Sequence, residues 1–141
     1  MATIHPAVQG TQAIRLWRSG ILAALVAALG NTMVYVAGQR LGTLSDHVLI
    51  PATGQSLTLA PVLLASTVPI IAATALLGLL YRYAPRSRAT FITIAIAVLA
   101  LSCASPFSLP TADGPFIATL LFMHLIAAFA GAGILVALNR R

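Results

Sequence analysis

The chain has 141 residues, of which 60% are hydrophobic and only 7% are charged. Soluble domains carry about 25% charged residues, so this composition excludes an ordinary water-soluble domain. The net charge of +6 comes from eight arginines and two acids, and the arginines flank apolar segments instead of forming a basic patch with exposed aromatic residues, which argues against nucleic-acid binding.

The first predicted membrane span runs from Ser19 to about Gly38 and follows a cytoplasmic tail, residues 1–18. An interfacial anchor precedes it, consisting of Arg15, Trp17 and Arg18. A cleaved signal peptide that ends at "VAG" (36–38) is the alternative. The apolar stretch is long for such a peptide and is interrupted by Asn31, which favours a span.

Three further apolar segments follow, at about 57–81, 89–107 and 115–138. With lengths of about 19 to 25 residues, all four segments can cross a hydrocarbon core of roughly 30 Å as helices. The short connection "APRSR" predicts that the second and third spans are antiparallel neighbours. The sequence therefore predicts an all-α fold, an integral membrane four-helix bundle.

The arginines predict the orientation of this bundle. Seven of the eight lie at the N-terminal flank, in the 82–88 connection or at the C-terminus (139–141), whereas Arg40 lies on the other side with Asp46 and Asp113. The positive-inside rule then places both termini in the cytoplasm, and we expect a bacterial cytoplasmic membrane. A second set of predicted lipid-interface anchors comprises Tyr81, Arg82, Tyr83, Arg86 and Arg88.

Each predicted span carries polar side chains at a similar depth. At 1.5 Å per residue, these side chains lie roughly 20 to 22 Å from the cytoplasmic ends of their spans. The members of this predicted polar layer are Asn31, Ser66, Thr67, Ser102, Cys103 and His124. Because polar groups that face lipid are costly, we expect the layer to face the interior of the bundle.

Two interpretations of the polar layer compete. In the first, the layer is a structural latch in which Asn31, His124 and the hydroxyl groups bond to one another and fix the register of the helices. In the second, the layer forms a small ligand or proton site that opens to the outer side. His124 would then be the titrating group, since imidazole changes charge near physiological pH.

The sequence lacks the residues that most enzymes and coupled transporters need. The single cysteine, Cys103, excludes an intramolecular disulfide and CxxC redox chemistry. Zinc sites use three or four His, Cys or carboxylate ligands, and the spans contain no Asp or Glu. We interpret Asp46, His47 and Asp113 as solvated loop residues. We therefore expect no catalytic residue, no metal and no cofactor.

Four segments resemble a family of small four-span bacterial membrane proteins, common in actinobacteria, that is known as a domain of unknown function. They read "LTLAPVLLASTVP", "YRYAPRSRATF", "LSCASP" and "LLFMHLIAA". The matching positions are Pro61, Ser66, Pro69, Arg82, Phe91, Leu101, Ser102, Pro106, Met123 and His124. The resemblance covers about residues 20–138 and implies a fold and a compartment, but no reaction.

Four short spans with small connections predict a non-enzymatic membrane protein. We expect an accessory or scaffold subunit of a larger membrane complex, or a homo-oligomer, with the lipid bilayer as its surroundings and no nucleic-acid partner. The alternative is a ligand-binding or proton-coupled membrane protein that uses the polar layer around His124.

Overall fold

The computed structural model describes residues 6–44, 49–50, 54–109 and 112–139. Its helices are α1 (Pro6–Leu41), α2 (Leu59–Tyr83), α3 (Ser87–Ala104), α4 (Gly114–Ala128) and α5 (Ile134–Leu138). A 3-10 turn (Ser105–Ser108) follows α3, and a π-helical turn (Phe129–Gly133) joins α4 to α5. α4, the π-helical turn and α5 are continuous, and we call them together the fourth helix.

Four of the helical segments are long and apolar enough to cross a membrane. They are Thr11–Leu41, Leu59–Tyr83, Ser87–Ser108 and Gly114–Leu138, with mean hydropathies of 1.8 to 2.3. Each overlaps one of the four apolar segments predicted from the sequence. The predicted bundle of four long apolar helices is therefore confirmed.

The first helix begins well before the predicted start of its span. It starts at Pro6, where proline is favourable because the first N–H groups of a helix have no intrahelical partner. Leu16 is buried and packs with Leu77, Phe91 and Leu135. The segment before Ser19 thus contributes to the packed bundle.

A short hairpin lies between α1 and α2. Strand β1 (Leu49–Ile50) pairs antiparallel with strand β2 (Gln55–Ser56), with Leu49 opposite Ser56. Gly54 has a φ of 63°, a left-handed conformation that glycine adopts without steric cost.

The helices follow one another around the bundle in chain order. α1 packs against α2 and against the fourth helix, while α3 packs against α2 and α4. The connection between α2 and α3 is short, so these two helices form an antiparallel hairpin. This arrangement places the two ends of the first helix beside the opposite ends of the fourth.

The core consists of three layers stacked along the bundle. One end layer contains Leu16, Leu77, Phe91 and Leu135; the middle layer contains Ala23, Ala24, Ala27 and Ile70; the other end layer contains Leu44, Val62, Phe116 and Met123. Alanine is the smallest side chain that can fill such a layer. Small side chains there let the helices approach closely.

Two glycines add to this close packing, one against Thr74 and one against Ile70 of the middle layer. A Cβ atom on Gly20 would lie 2.7 Å from Cγ2 of Thr74, which is closer than real Cβ atoms approach other atoms. A Cβ atom on Gly131, in the π-helical turn, would lie 3.0 Å from Cγ1 of Ile70. Both glycines thus allow neighbouring helices to approach α2.

Candidate functional site

Two members of the predicted polar layer meet between α1 and α2. The side-chain Nδ2 of Asn31 donates to Oγ of Ser66 at 2.7 Å, and Oγ of Ser66 donates to the carbonyl of Val62 at 2.6 Å. Asn31 and Ser66 are only 4% and 2% exposed. This pair is a buried polar link between α1 and α2.

One atom of this pair has no partner. Oδ1 of Asn31 is buried and accepts no hydrogen bond within the described part of the chain. Exchanging the amide oxygen and nitrogen would not remove the problem, because Ser66 already donates its hydroxyl to Val62 and would have to give up that bond. A buried acceptor without a donor costs about 1 to 3 kcal/mol.

The hydroxyl groups of the other predicted members bond within their own helices. Thr67 donates to the carbonyl of Leu63 at 2.8 Å, and Ser102 donates to the carbonyl of Leu99 at 2.9 Å. Cys103 is half-buried with a free thiol. These three side chains need no partner from another helix.

His124 also bonds to its own helix. Its Nδ1 lies 2.7 Å from the carbonyl oxygen of Leu120. Since a carbonyl only accepts, Nδ1 carries a proton and donates it. His124 is half-buried, and by helical spacing it shares a flank of α4 with Ile117 and Leu121. The structure thus places His124 at the level of the layer without a hydrogen bond to Asn31.

A second polar cluster, which the sequence did not predict, joins α1 to the end of the fourth helix. Nδ2 of Asn139 donates to Oγ of Ser19 at 2.7 Å and to the carbonyl of Leu135 at 2.9 Å. The hydroxyl of Tyr81 donates to the carbonyl of Asn139 at 2.7 Å. Ser19 and Asn139 are 3% and 4% exposed. We call these three residues, Ser19, Tyr81 and Asn139, the end cluster.

The sequence carried only a weak signal for the end cluster. Ser19 and Asn139 stand at the predicted ends of their spans, where polar residues are ordinary. Tyr81 was predicted only as an interfacial anchor. A pairing between residues that are 120 positions apart requires knowledge of which helices are neighbours.

The end cluster shows that the predicted anchors lie at one end of the bundle, which we call the arginine end. The described side chains Arg15, Trp17, Arg18, Arg82, Tyr83, Arg86 and Arg88 are exposed there. The guanidinium carbon of Arg82 lies 5.4 Å from the ring centre of Tyr83. At the opposite end, Thr119 donates to Thr43 at 3.1 Å.

Asp113, at that opposite end, has a structural role. Its carboxylate accepts a hydrogen bond of 2.9 Å from the backbone N–H of Phe116 and so caps the start of α4. The interpretation of Asp46 and His47 as solvated residues falls outside the described residues. Arg140 and Arg141 lie outside them as well.

Two cavities open at the arginine end. The first, the loop cavity, has a volume of about 370 Å³ and is lined by residues 84–89 of the α2–α3 connection together with Tyr81 and Asn139. The second, the α1 groove, has a volume of about 680 Å³. It is lined by Thr11, Ile14, Arg15, Arg18, Ser19, Leu22 and Leu138.

The fold and these polar groups define a small helical bundle built from four helices of membrane-spanning length. The chain belongs to the family of unknown function DUF6069, whose model matches residues 11–141. This finding confirms the predicted membership of a family without an assigned function. Searches of curated proteins and of solved structures gave no match.

Proposed function

We propose that the chain is an integral protein of the bacterial cytoplasmic membrane with both termini in the cytoplasm. Large apolar side chains that a soluble protein would bury are exposed along the helices, among them Leu29, Met33, Ile96 and Leu101 at 62% to 75%. Lipid tails can cover such apolar surfaces and keep them out of water. Five described arginines lie at one end of the bundle, which supports placing that end in the cytoplasm.

Single cysteines test this orientation. In a Cys103→Ser background, Pro85→Cys lies in the α2–α3 connection at the arginine end, and Gly114→Cys lies at the opposite end; both positions are exposed. A membrane-impermeant maleimide should label Gly114→Cys on intact cells and Pro85→Cys only after lysis. The reverse pattern would overturn the proposed orientation.

Within the membrane, we propose a non-enzymatic role as a scaffold subunit or homo-oligomer, and α3 supplies the observation that carries it. Only 11% of the most apolar part of this helix is buried inside the bundle, compared with 28% for each of the first two helices. Phe91 is the one fully buried residue of α3. Most of the surface of α3 is thus available to another molecule.

The exposed side of α3 includes a row of small residues at helical spacing. The row consists of Ala89, Thr93, Ala97, Ala100 and Ala104, all of them exposed. In contrast, the exposed side of α1 carries Ile21, Leu25, Leu29, Met33 and Val36. Because small residues let helices approach closely in lipid, the row on α3 favours contact with another helix.

Native mass spectrometry of the protein extracted in a mild detergent tests this role. We expect bound protein mass at fixed stoichiometry, from a second copy or from a partner subunit. Ala97→Leu should cause the bound protein to dissociate, because the larger side chain keeps the partner helix from approaching the small-residue row. Ala75→Leu, a substitution at an exposed position on α2, should not. A bare monomer, or equal behaviour of the two variants, would contradict the proposal.

The alternative function is a ligand or proton site in the polar layer, and the unpaired Oδ1 of Asn31 is the observation that favours it. A water molecule or a protonated ligand would supply the missing donor. In this case a stoichiometric small molecule should accompany the protein in the same spectra. That molecule should be lost in His124→Gln while the fold is retained; its persistence would exclude His124 from the site.

A further inference from the structure

We propose that the loop cavity binds a phosphate ester that also carries a hydroxyl group, such as a glycerophosphate headgroup. The cavity volume of about 370 Å³ falls within the range of roughly 300 to 1,000 Å³ that is typical of small-molecule sites. The proposal does not depend on the scaffold role of α3.

Three side chains with hydrogen-bond donors line the cavity. Arg86, Ser87 and Arg88 are consecutive, and their side chains form no hydrogen bond or ion pair with any described residue. Two guanidinium groups can hold phosphate oxygens bidentately, and the serine hydroxyl adds a third donor. These side chains provide two positive charges and no negative charge.

Among the described residues, no acidic side chain lines the cavity to offer a counter-charge. The chain has only two acidic residues, and the described one, Asp113, caps α4 at the opposite end of the bundle. Neighbouring Arg82 lies over the ring of Tyr83 and adds positive charge beside the cavity. An anion from solution or from the membrane is therefore the natural partner of Arg86 and Arg88.

Asn139 also lines the cavity. Its side chain is almost fully buried, and Nδ2 is held by Ser19 and Leu135. Its Oδ1 receives no hydrogen bond from a described residue. An acceptor beside the arginines cannot bind a phosphate oxygen, but it can accept a hydrogen bond from a hydroxyl group of the same ligand.

The end cluster makes the cavity a preformed site. Tyr81 donates to the carbonyl of Asn139 at 2.7 Å, so the end of α2 is fixed to the end of α5. Asn139 in turn is fixed to α1 through Ser19. Tyr81 and Asn139, which line the cavity, are therefore held in place, and this reduces the entropy that binding must overcome.

The test uses the full chain in a neutral detergent with equal amounts of dioleoyl phosphatidylglycerol and dioleoyl phosphatidylcholine, read by native mass spectrometry. Wild-type protein should retain phosphatidylglycerol in preference to phosphatidylcholine. The double variant Arg86→Gln/Arg88→Gln should lose at least about tenfold in retention, as expected when charge-assisted hydrogen bonds are removed. Ser87→Ala should reduce retention less, because it removes one neutral donor.

The matched control is Arg15→Gln/Arg18→Gln, which removes the same charge from the α1 groove at the same end of the bundle. It should change retention by no more than about twofold. An equal loss in both double variants would mean general attraction to a positive surface and would overturn the site. Equal retention of the two lipids by wild-type protein would overturn it as well.

Free glycerol 1-phosphate distinguishes the source of the ligand. If it raises the unfolding temperature of wild-type protein but not of Arg86→Gln/Arg88→Gln, a soluble phosphate ester is a ligand. If phosphatidylglycerol is retained and glycerol 1-phosphate has no effect, the ligand is a lipid headgroup. If neither probe binds, the proposal is wrong.

Discussion

At the scale of single residues, the Asn31–Ser66 pair shows whether the polar layer satisfies its own hydrogen-bonding groups. Asn31 makes one hydrogen bond between helices and leaves its buried Oδ1 unpaired. Hydrogen bonds between membrane helices average about 0.6 kcal/mol, less than the cost of about 1 to 3 kcal/mol for an unpaired buried acceptor. The pair as described thus destabilises the bundle slightly unless another molecule donates to Oδ1.

Asn31→Leu tests this balance because leucine has a similar size and no polar atoms. If Oδ1 is unpaired in the membrane, the variant should be about 1 kcal/mol more stable than wild type. Ser66→Ala is the comparison, since it leaves both ends of the Asn31 amide unpaired and should cost about 1 to 2 kcal/mol. Reversible unfolding in detergent micelles measures both. Destabilisation by Asn31→Leu would show that Oδ1 has a donor, as the ligand-site alternative requires.

At the scale of helices, the contact of α1 with α2 depends on a glycine. Gly20 lies against Thr74, whose Cγ2 would be 2.7 Å from an added Cβ atom. Thr74 is completely buried, and its hydroxyl donates to the carbonyl of Ile70 at 2.8 Å. The threonine therefore cannot move aside without breaking that bond or disturbing the middle layer.

Gly20→Ala should consequently destabilise the bundle by about 1 to 3 kcal/mol, as expected for overpacking. Combining it with Thr74→Ala should recover part of the loss, because the substitution removes the two atoms nearest to the new methyl group. Gly133→Ala is the control, since nothing lies within 4 Å of the added Cβ atom there. Additive effects of the two substitutions in a double-mutant cycle would contradict the proposed contact.

The sequence predicted where the helices lie in the chain better than it predicted which way their side chains point. Apolar length alone identified four helices, because a run of about 20 apolar residues leaves few alternatives. Counting residues along each span also placed Asn31 and Ser66 at one level, where they bond. That count gives the height along a helix and not the direction of a side chain, so it could not show that His124 bonds to Leu120.

At the scale of the whole molecule, the end cluster joins the first helix to the last. Asn139→Ala removes two buried hydrogen bonds and leaves the Ser19 oxygen without that donor, so it should cost about 1 to 3 kcal/mol. Tyr81→Phe removes one bond to the backbone of Asn139 and should cost about 1 kcal/mol. Both are measured by unfolding in micelles. No loss in Asn139→Ala would mean that packing alone closes the bundle.

The link between Ser19 and Asn139 also bears on how the protein is made. α1 and α2 are neighbours in the chain and in the bundle, so they can pair while the ribosome is still adding the later helices. The fourth helix can begin to pack on α1 through α4, but the bond between Asn139 and Ser19 can form only after Asn139 has left the ribosome. Until then Ser19 lacks this donor, so the link between the first and last helices is among the last contacts of the bundle to form.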